Sequence, residues 1–212
     1  MELENKREEL EKELEVPGNA ENEKPEETVA KGTIIREWIR DILVAIVVAI
    51  VIMQFIKPTI VKQRSMEPNF YTNDYLLVSR QAYGLFGGDP QRGDVIVFQS
   101  DLSDDNGASK LLIKRVIGLP GDSITITEGK VYINGEMQID SYTKDQMTNG
   151  EIVDLVVPEN SLFCMGDNRL VSVDSRAPEV GFISYDVVVG KVVLRLFPFS
   201  EFGTIMNPYK GE

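Results

Sequence analysis

Ser65, in the stretch Ser65-Met66-Glu67-Pro68, lies nine residues past a long apolar run that ends at Ile56. A serine hydroxyl is a weak nucleophile at neutral pH and needs a neighbour to take its proton. The chain contains no histidine, so a Ser-His-Asp triad is excluded and another base is required. Lysine can act only when neutral. Its ordinary pKa of about 10.4 must fall by several units, which burial among apolar groups achieves. Leu111-Leu112-Ile113-Lys114 offers such a lysine. At a period of two, Lys114 shares a face with Leu112 and Val116, the face a core would take, while Arg115 points the other way with Ile113 and Ile117. A lone strand lysine is ordinarily exposed, so the chemistry depends on elements that bring these two side chains together.

The first such element is the apolar run. From Ile34 to Ile56 the chain is apolar apart from Arg36, Glu37, Arg40, Asp41 and Gln54, with Ile42 to Met53 unbroken. Snorkelling of Arg40 and Lys57 extends this to a span of about 20 residues, and Trp38 stands where an interfacial anchor belongs. A cleaved signal peptide would have an acidic n-region about 40 residues long here and no small-x-small site after it, so residues 34–57 read as an uncleaved transmembrane anchor. Lys31, Arg36 and Arg40 on one side balance Lys57, Lys62 and Arg64 on the other, so charge leaves the orientation undecided.

The flanks differ in kind. Residues 1–30 hold eleven glutamates against four Lys or Arg, which places -7 of the net charge of -12 there. Leu3, Leu10 and Leu14 form one helical stripe, but a solvated tail suits this composition, and Glu21 to Lys31 reads as a flexible acidic linker; residues 1–33 are assigned as tail and linker. After Pro58 the pattern turns to β. Tyr75–Ser79, Asp94–Phe98, Leu111–Ile117, Ser161–Met165 and Val187–Leu196, broken at Gly190, are strand-forming runs, and Ser123–Thr127, Glu128-Gly129 and Lys130–Ile133, closed by Asn134-Gly135, read as a hairpin. Asp101 to Ser109 and Ile139 to Gly150 read as loops. Residues 58–212 are therefore expected to form a mainly β, antiparallel domain, barrel-like in closure. No basic tract points to nucleic acid. Cys164 is the only cysteine, which excludes an internal disulfide and, with no histidine, a Cys/His zinc site.

Four boxes follow the apolar run in order: Ser65-Met66-Glu67-Pro68, Gly93-Asp94-Val95-Ile96-Val97-Phe98, Lys114-Arg115-Val116-Ile117-Gly118-Leu119-Pro120-Gly121-Asp122, and Gly166-Asp167-Asn168-Arg169-Leu170-Val171-Ser172-Val173-Asp174-Ser175-Arg176. Together they closely resemble the type I signal peptidases, membrane-bound Ser-Lys endopeptidases of bacterial export, over about Lys57 to Arg195. The resemblance implies that Ser65 is the nucleophile and Lys114 the general base, with Ser172 as the hydroxyl that orients the lysine. It makes Asp174 and Arg176 a structural ion pair, with Asp167 and Asn168 shaping the same loop. The Ser65 N–H would donate to the oxyanion, and Met66, Phe70, Leu112 and Ile113 would line pockets for small side chains at positions -1 and -3 of a signal peptide. No cofactor or metal is implied.

The resemblance also implies a single-pass plasma-membrane protein with its acidic tail in the cytoplasm and its β domain outside. Its partners would be preprotein signal peptides, the lipid bilayer and nearby secretion machinery. Nine extended residues cover at most about 30 Å, which tethers Ser65 near the bilayer. Tyr83-Gly84-Leu85-Phe86 and Phe197-Pro198-Phe199 are candidates for lipid contact. Three departures stand out: Gln63 where many relatives have serine or glycine and the serine donates to the oxyanion, Asn69-Phe70 in place of the commoner Thr-Leu, and Leu170-Val171 in place of a more polar pair. Two alternatives stay open: a self-cleaving Ser-Lys repressor, disfavoured by the membrane segment and the lack of a basic domain, and an inactive anchored paralogue that binds signal peptides.

Overall fold

The computed structural model describes residues 26–83, 87–103, 107–138 and 141–210. The leucine stripe of the tail, the tip of the Tyr83–Phe86 stretch and the start of the Ile139–Gly150 loop lie outside the described residues. Two compact units divide the chain, residues 1–48 and 49–212.

Helix α1 runs from Glu26 to Phe55. It starts inside the stretch expected to be a flexible linker. Ile34–Phe55 is 22 residues long with a mean hydropathy of 2.2, none of it buried, which is long and apolar enough to cross a membrane. The helix stops before the expected anchor boundary at residue 57. Pro58 lacks an N–H and biases Lys57 towards extended backbone, so the chain turns to strand.

Among the described residues twelve strands follow: β1 Ile56–Ile60, β2 Tyr75–Ser79, β3 Val95–Ser103, β4 Ser109–Gly118, β5 Ser123–Thr127, β6 Lys130–Ile133, β7 Glu136–Met137, β8 Ile152–Val156, β9 Ser161–Met165, β10 Ile183–Ser184, β11 Val188–Phe197 and β12 Gly203–Thr204. All pairings are antiparallel. The larger sheet runs β1-β2-β11-β3-β4-β9-β10 with β12 beside β11, and the smaller runs β7-β6-β5-β8. Glu128-Gly129 and Asn134-Gly135 both have positive φ at each residue, which is the two-residue turn that matches strand twist, so the expected hairpin is followed at once by a second. β3 continues to Ser103 and pairs with Ser109, taking three residues from the expected 101–109 loop. β11 passes through Gly190 with a bulge there instead of breaking.

β3 and β4 explain how the active residues are held. Val95 and Val97 enter one core with Met66, Phe70 and Leu76, while Ile96 and Phe98 enter another with Leu112, Val116 and Cys164. Both faces of β3 are thus covered, as its continuous apolar run allows. β4 behaves alike: Lys114, Arg115, Val116 and Ile117 are all buried. The expectation of one core face was too simple. Arg115 does leave Lys114's face, but the opposite face is also inside the protein.

Candidate active site

β4 carries Lys114 beside its register partner Ile96 on β3, at the level of the core formed by Leu112, Val116 and Cys164. Only 1% of the lysine is exposed. Its Nζ donates a 2.7 Å hydrogen bond to Ser65 Oγ. Burial pushes the amine down to about 8, although the Asp174 and Asp167 charges pull against it. A lysine in that range is neutral in a substantial fraction at mildly basic pH and can accept a proton.

Ser65 sits in a turn between β1 and β2 that the Gly166-Asp167-Asn168 segment clamps from the far end of the sequence. The Asn168 N–H donates to Ser65 O at 3.0 Å, and Asn168 Nδ2 donates to Arg64 O at 3.1 Å. Gly166 lies against the same carbonyl: a Cβ there would stand 2.4 Å from Ser65 O and 2.3 Å from Ser172 Oγ. The Ser65 N–H makes no hydrogen bond among the described residues, so it is free to donate to a developing oxyanion.

Asp167 does not face the reacting atoms. It forms a buried pair with Arg115 and accepts from Asn69 Nδ2 at 2.8 Å. Asp174 takes Arg176 in two contacts of 2.8 Å and accepts from the Gly166 N–H at 2.9 Å. Burial alone would raise its carboxyl, yet Arg176 and that N–H outweigh burial and hold it below the usual range. Arg176 also donates to Arg169 O at 2.8 Å and to the side chain of Asn149. Asp174 and Arg176 thereby fold the segment back beneath the lysine.

Two expected roles take a different shape. Ser172 lies near enough to help lower Asp174, but its buried Oγ has no hydrogen-bond partner, so the bond to Lys114 expected of it is not made. The loop presses that hydroxyl against Gly166 instead. Phe70 lines no cleft at Ser65: it is 1% exposed in the core behind Met66, with the Arg195 guanidinium 5.0 Å from its ring. Met66 and Ile113 do line a cleft of about 740 Å³ beside Ser65, together with Lys57 to Gln63 and the outer end of β4. Leu112 lines a second cleft, about 780 Å³, on the other side of the strand. Gln63, an exposed residue, borders both.

Sequence reasoning missed Arg115, Asn69, Lys144 and Arg169. Lys144 donates to Glu67 at 2.7 Å and Arg64 reaches the same carboxylate at 2.9 Å; the hydrogen bonds from both cations hold Glu67 down to about 2. Arg169, fully buried, donates to Thr148 Oγ1 at 2.8 Å and to Tyr142 Oη at 2.9 Å, anchoring the long polar loop before β8. Arg115 and Arg169 carried a signal as members of the second pair of boxes and Asn69 as a departure after the first, whereas Lys144 carried none.

A hydroxyl bonded to a buried amine, with a free N–H beside it and clefts opening on both sides, has the geometry of a serine hydrolase that uses lysine as its base. The profile of the family described as signal peptidase, peptidase S26, matches residues 35–197. Signal peptidase IB of Staphylococcus aureus strain COL is 35% identical over 192 residues, covering 82% of this chain and 95% of its own. Signal peptidase I of Bacillus licheniformis is 31% identical over 186 residues, covering 83% and 96%. A crystal structure of a signal peptidase I from Enterococcus faecalis V583 is 31% identical and aligns with 49% of this chain and 97% of its own at a TM-score of 0.41. The chain belongs to the signal peptidase family, peptidase S26, and is a serine endopeptidase.

Proposed function

We propose that this protein removes signal peptides from exported preproteins, cutting after small residues at -1 and -3 by acylation of Ser65. The observation that carries the reading is the 2.7 Å bond between Lys114 Nζ and Ser65 Oγ with the lysine buried. Neutral Lys114 takes the Ser65 proton as Oγ bonds to the carbonyl carbon. The Ser65 N–H, with Gln63 reaching from the cleft rim through its amide, donates to the oxyanion. Collapse breaks the C–N bond, and the Lys114 ammonium gives its proton to the leaving amine. Water, deprotonated by the same lysine, then adds to the ester and frees the peptide acid and Ser65. Asp174, Arg176, Asp167 and Asn168 hold this geometry, Ser172 packs against Gly166, and Met66 and Ile113 bound the pocket for the small residues.

The remaining parts of the reading concern place. Helix α1 would anchor the enzyme in the plasma membrane in a single pass, with the acidic tail cytoplasmic and the β domain outside, close to the export machinery. Phe199 at 81% exposure, Phe202 at 60% and Met206 at 82% support a contact between this domain and lipid. The test is cleavage of a signal-bearing preprotein by the detergent-solubilised enzyme and by folded Ser65→Ala and Lys114→Ala variants. Cleavage that both substitutions abolish is the expected result. A folded wild type inert on several preproteins would overturn the reading in favour of a signal-peptide-binding paralogue.

A further inference from the structure

The two clefts meet at Ser65 and Gln63, so the reacting hydroxyl stands at their junction. The mechanism uses only one of them. Met66 and Ile113 border the cleft assigned to the acyl half of the substrate, while the cleft of about 780 Å³ on the other side has no role in it. Its walls are Leu102, Leu112, Leu170, Val171 and Val173. Three of these are in water: Leu170 is 46% exposed, Val171 60% and Val173 46%. Their flanking neighbours Arg169 and Asp174 are buried. The segment is also well held, with the Ser172 N–H donating to Asn168 O at 3.1 Å and Arg176 donating to Arg169 O at 2.8 Å. A braced turn therefore presents three apolar side chains to solvent beside the nucleophile, at a cost that no contact among the described residues offsets.

A peptide has two ends, and they diverge from the carbonyl that Ser65 attacks. With the acyl half in one cleft, the amine half lies in the other. We infer that the Leu102–Leu170–Val171–Val173 cleft is a leaving-side subsite that takes an apolar side chain from the first two residues after the scissile bond. This deepens the proposed function and rests on it. The rim carries both signs, Arg64, Lys110 and Lys144 against Asp145 and Glu179, so selection comes from the apolar interior and not from substrate charge.

The experiment uses the full-length enzyme in detergent and preproteins identical up to -1, with Leu or Ser at +1 and, separately, at +2. The wild type is expected to favour Leu at one of these positions about tenfold in kcat/KM, the scale of one apolar side chain entering a pocket. The double variant Leu170→Asp/Val171→Asn should bring that ratio close to one. Leu170→Ser alone, at a half-exposed position, should lower it part of the way and guards against misfolding of the double variant. Equal cleavage of Leu and Ser substrates by the wild type would overturn the subsite while leaving the peptidase reading intact. So would a ratio that both variants preserve. Failure of the wild type on every substrate would strike the peptidase reading, and the subsite with it.

Discussion

Arg115 and Asp167 are joined by two hydrogen bonds, Nε to Oδ1 at 2.8 Å and Nη2 to Oδ2 at 2.6 Å, with both side chains almost wholly out of water. Each is the sequence neighbour of a working residue. Arg115 follows Lys114 on β4, and Asp167 precedes Asn168, whose N–H holds the Ser65 carbonyl. The pair thus ties the strand of the amine to the clamp on the hydroxyl, and the Arg115 bond to Gly93 O at 2.9 Å adds a third element.

Removing one partner strands the other charge in the interior, which typically costs about 3–5 kcal/mol. Arg115→Met and Asp167→Leu should each lower the melting temperature of the detergent-solubilised chain sharply. The double variant should lose less than the sum, by at least about 1 kcal/mol, because neither charge is then left alone. Strictly additive losses would show that the pair is not coupled.

The pH dependence of catalysis follows from burial of Lys114. Its protonated form cannot accept the Ser65 proton, so kcat/KM should rise about tenfold per pH unit below its pKa of about 8 and level off above it. Lys114→Arg, charged at all these pH values, should fall by about 10³-fold or more. A wild-type profile that is flat from pH 6 to 9 would mean that another group takes the proton.

Much of this arrangement could be read from the chain before any coordinates. Ser65 and Lys114 were legible because the absence of histidine left few bases and because four boxes in series resemble those of a Ser-Lys peptidase family. The runs that became β3, β4, β5, β6 and β9 carried the composition of strands. What stayed hidden has physical reasons. β7, β10 and β12 are two residues long, too short for any periodicity, and β1 continues directly from the apolar helix with Pro58 at its centre. β8 bends at Asp154, whose φ of 48° interrupts its alternation. Phe70 was expected in a pocket because residue type says what a side chain prefers to touch and not which way it points. Arg115 was read as facing away from the core because a period of two cannot tell a strand covered on one face from one covered on both.

Stability should carry the cost of the same lysine. In the unfolded chain Lys114 titrates near 10.5, in the folded one near 8, so between these values the unfolded state binds more protons and stability rises with pH. Below about 8 both states are protonated and the full penalty of burying the charge is present, roughly 3 kcal/mol for a shift of this size. Lys114→Met keeps an unbranched side chain, one atom shorter, without the charge. It should be inactive yet melt higher than the wild type at pH 7, with the difference shrinking towards pH 10.5. A variant less stable than the wild type at pH 7 would show that the amine's hydrogen bond to Ser65 outweighs its desolvation.

Gly166 links the two halves of the site by its lack of a side chain. An added Cβ would lie 2.4 Å from Ser65 O and 2.3 Å from Ser172 Oγ, distances that real Cβ contacts do not show. Ser172 could turn its hydroxyl aside. The Ser65 carbonyl is backbone, and it can retreat only by carrying Ser65 Oγ away from Lys114 Nζ. Gly166→Ala should therefore cost about 1–3 kcal/mol of stability through overpacking. It should lower kcat about 10²-fold, because displacing a reacting atom by a fraction of its bond length removes the near-attack geometry. The substrate clefts are bordered by other residues, so KM should stay within about threefold. Steady-state kinetics on one preprotein, with melting curves for the same samples, separates these effects. A Gly166→Ala enzyme with normal kcat would mean that the Ser65 turn can shift without losing its lysine.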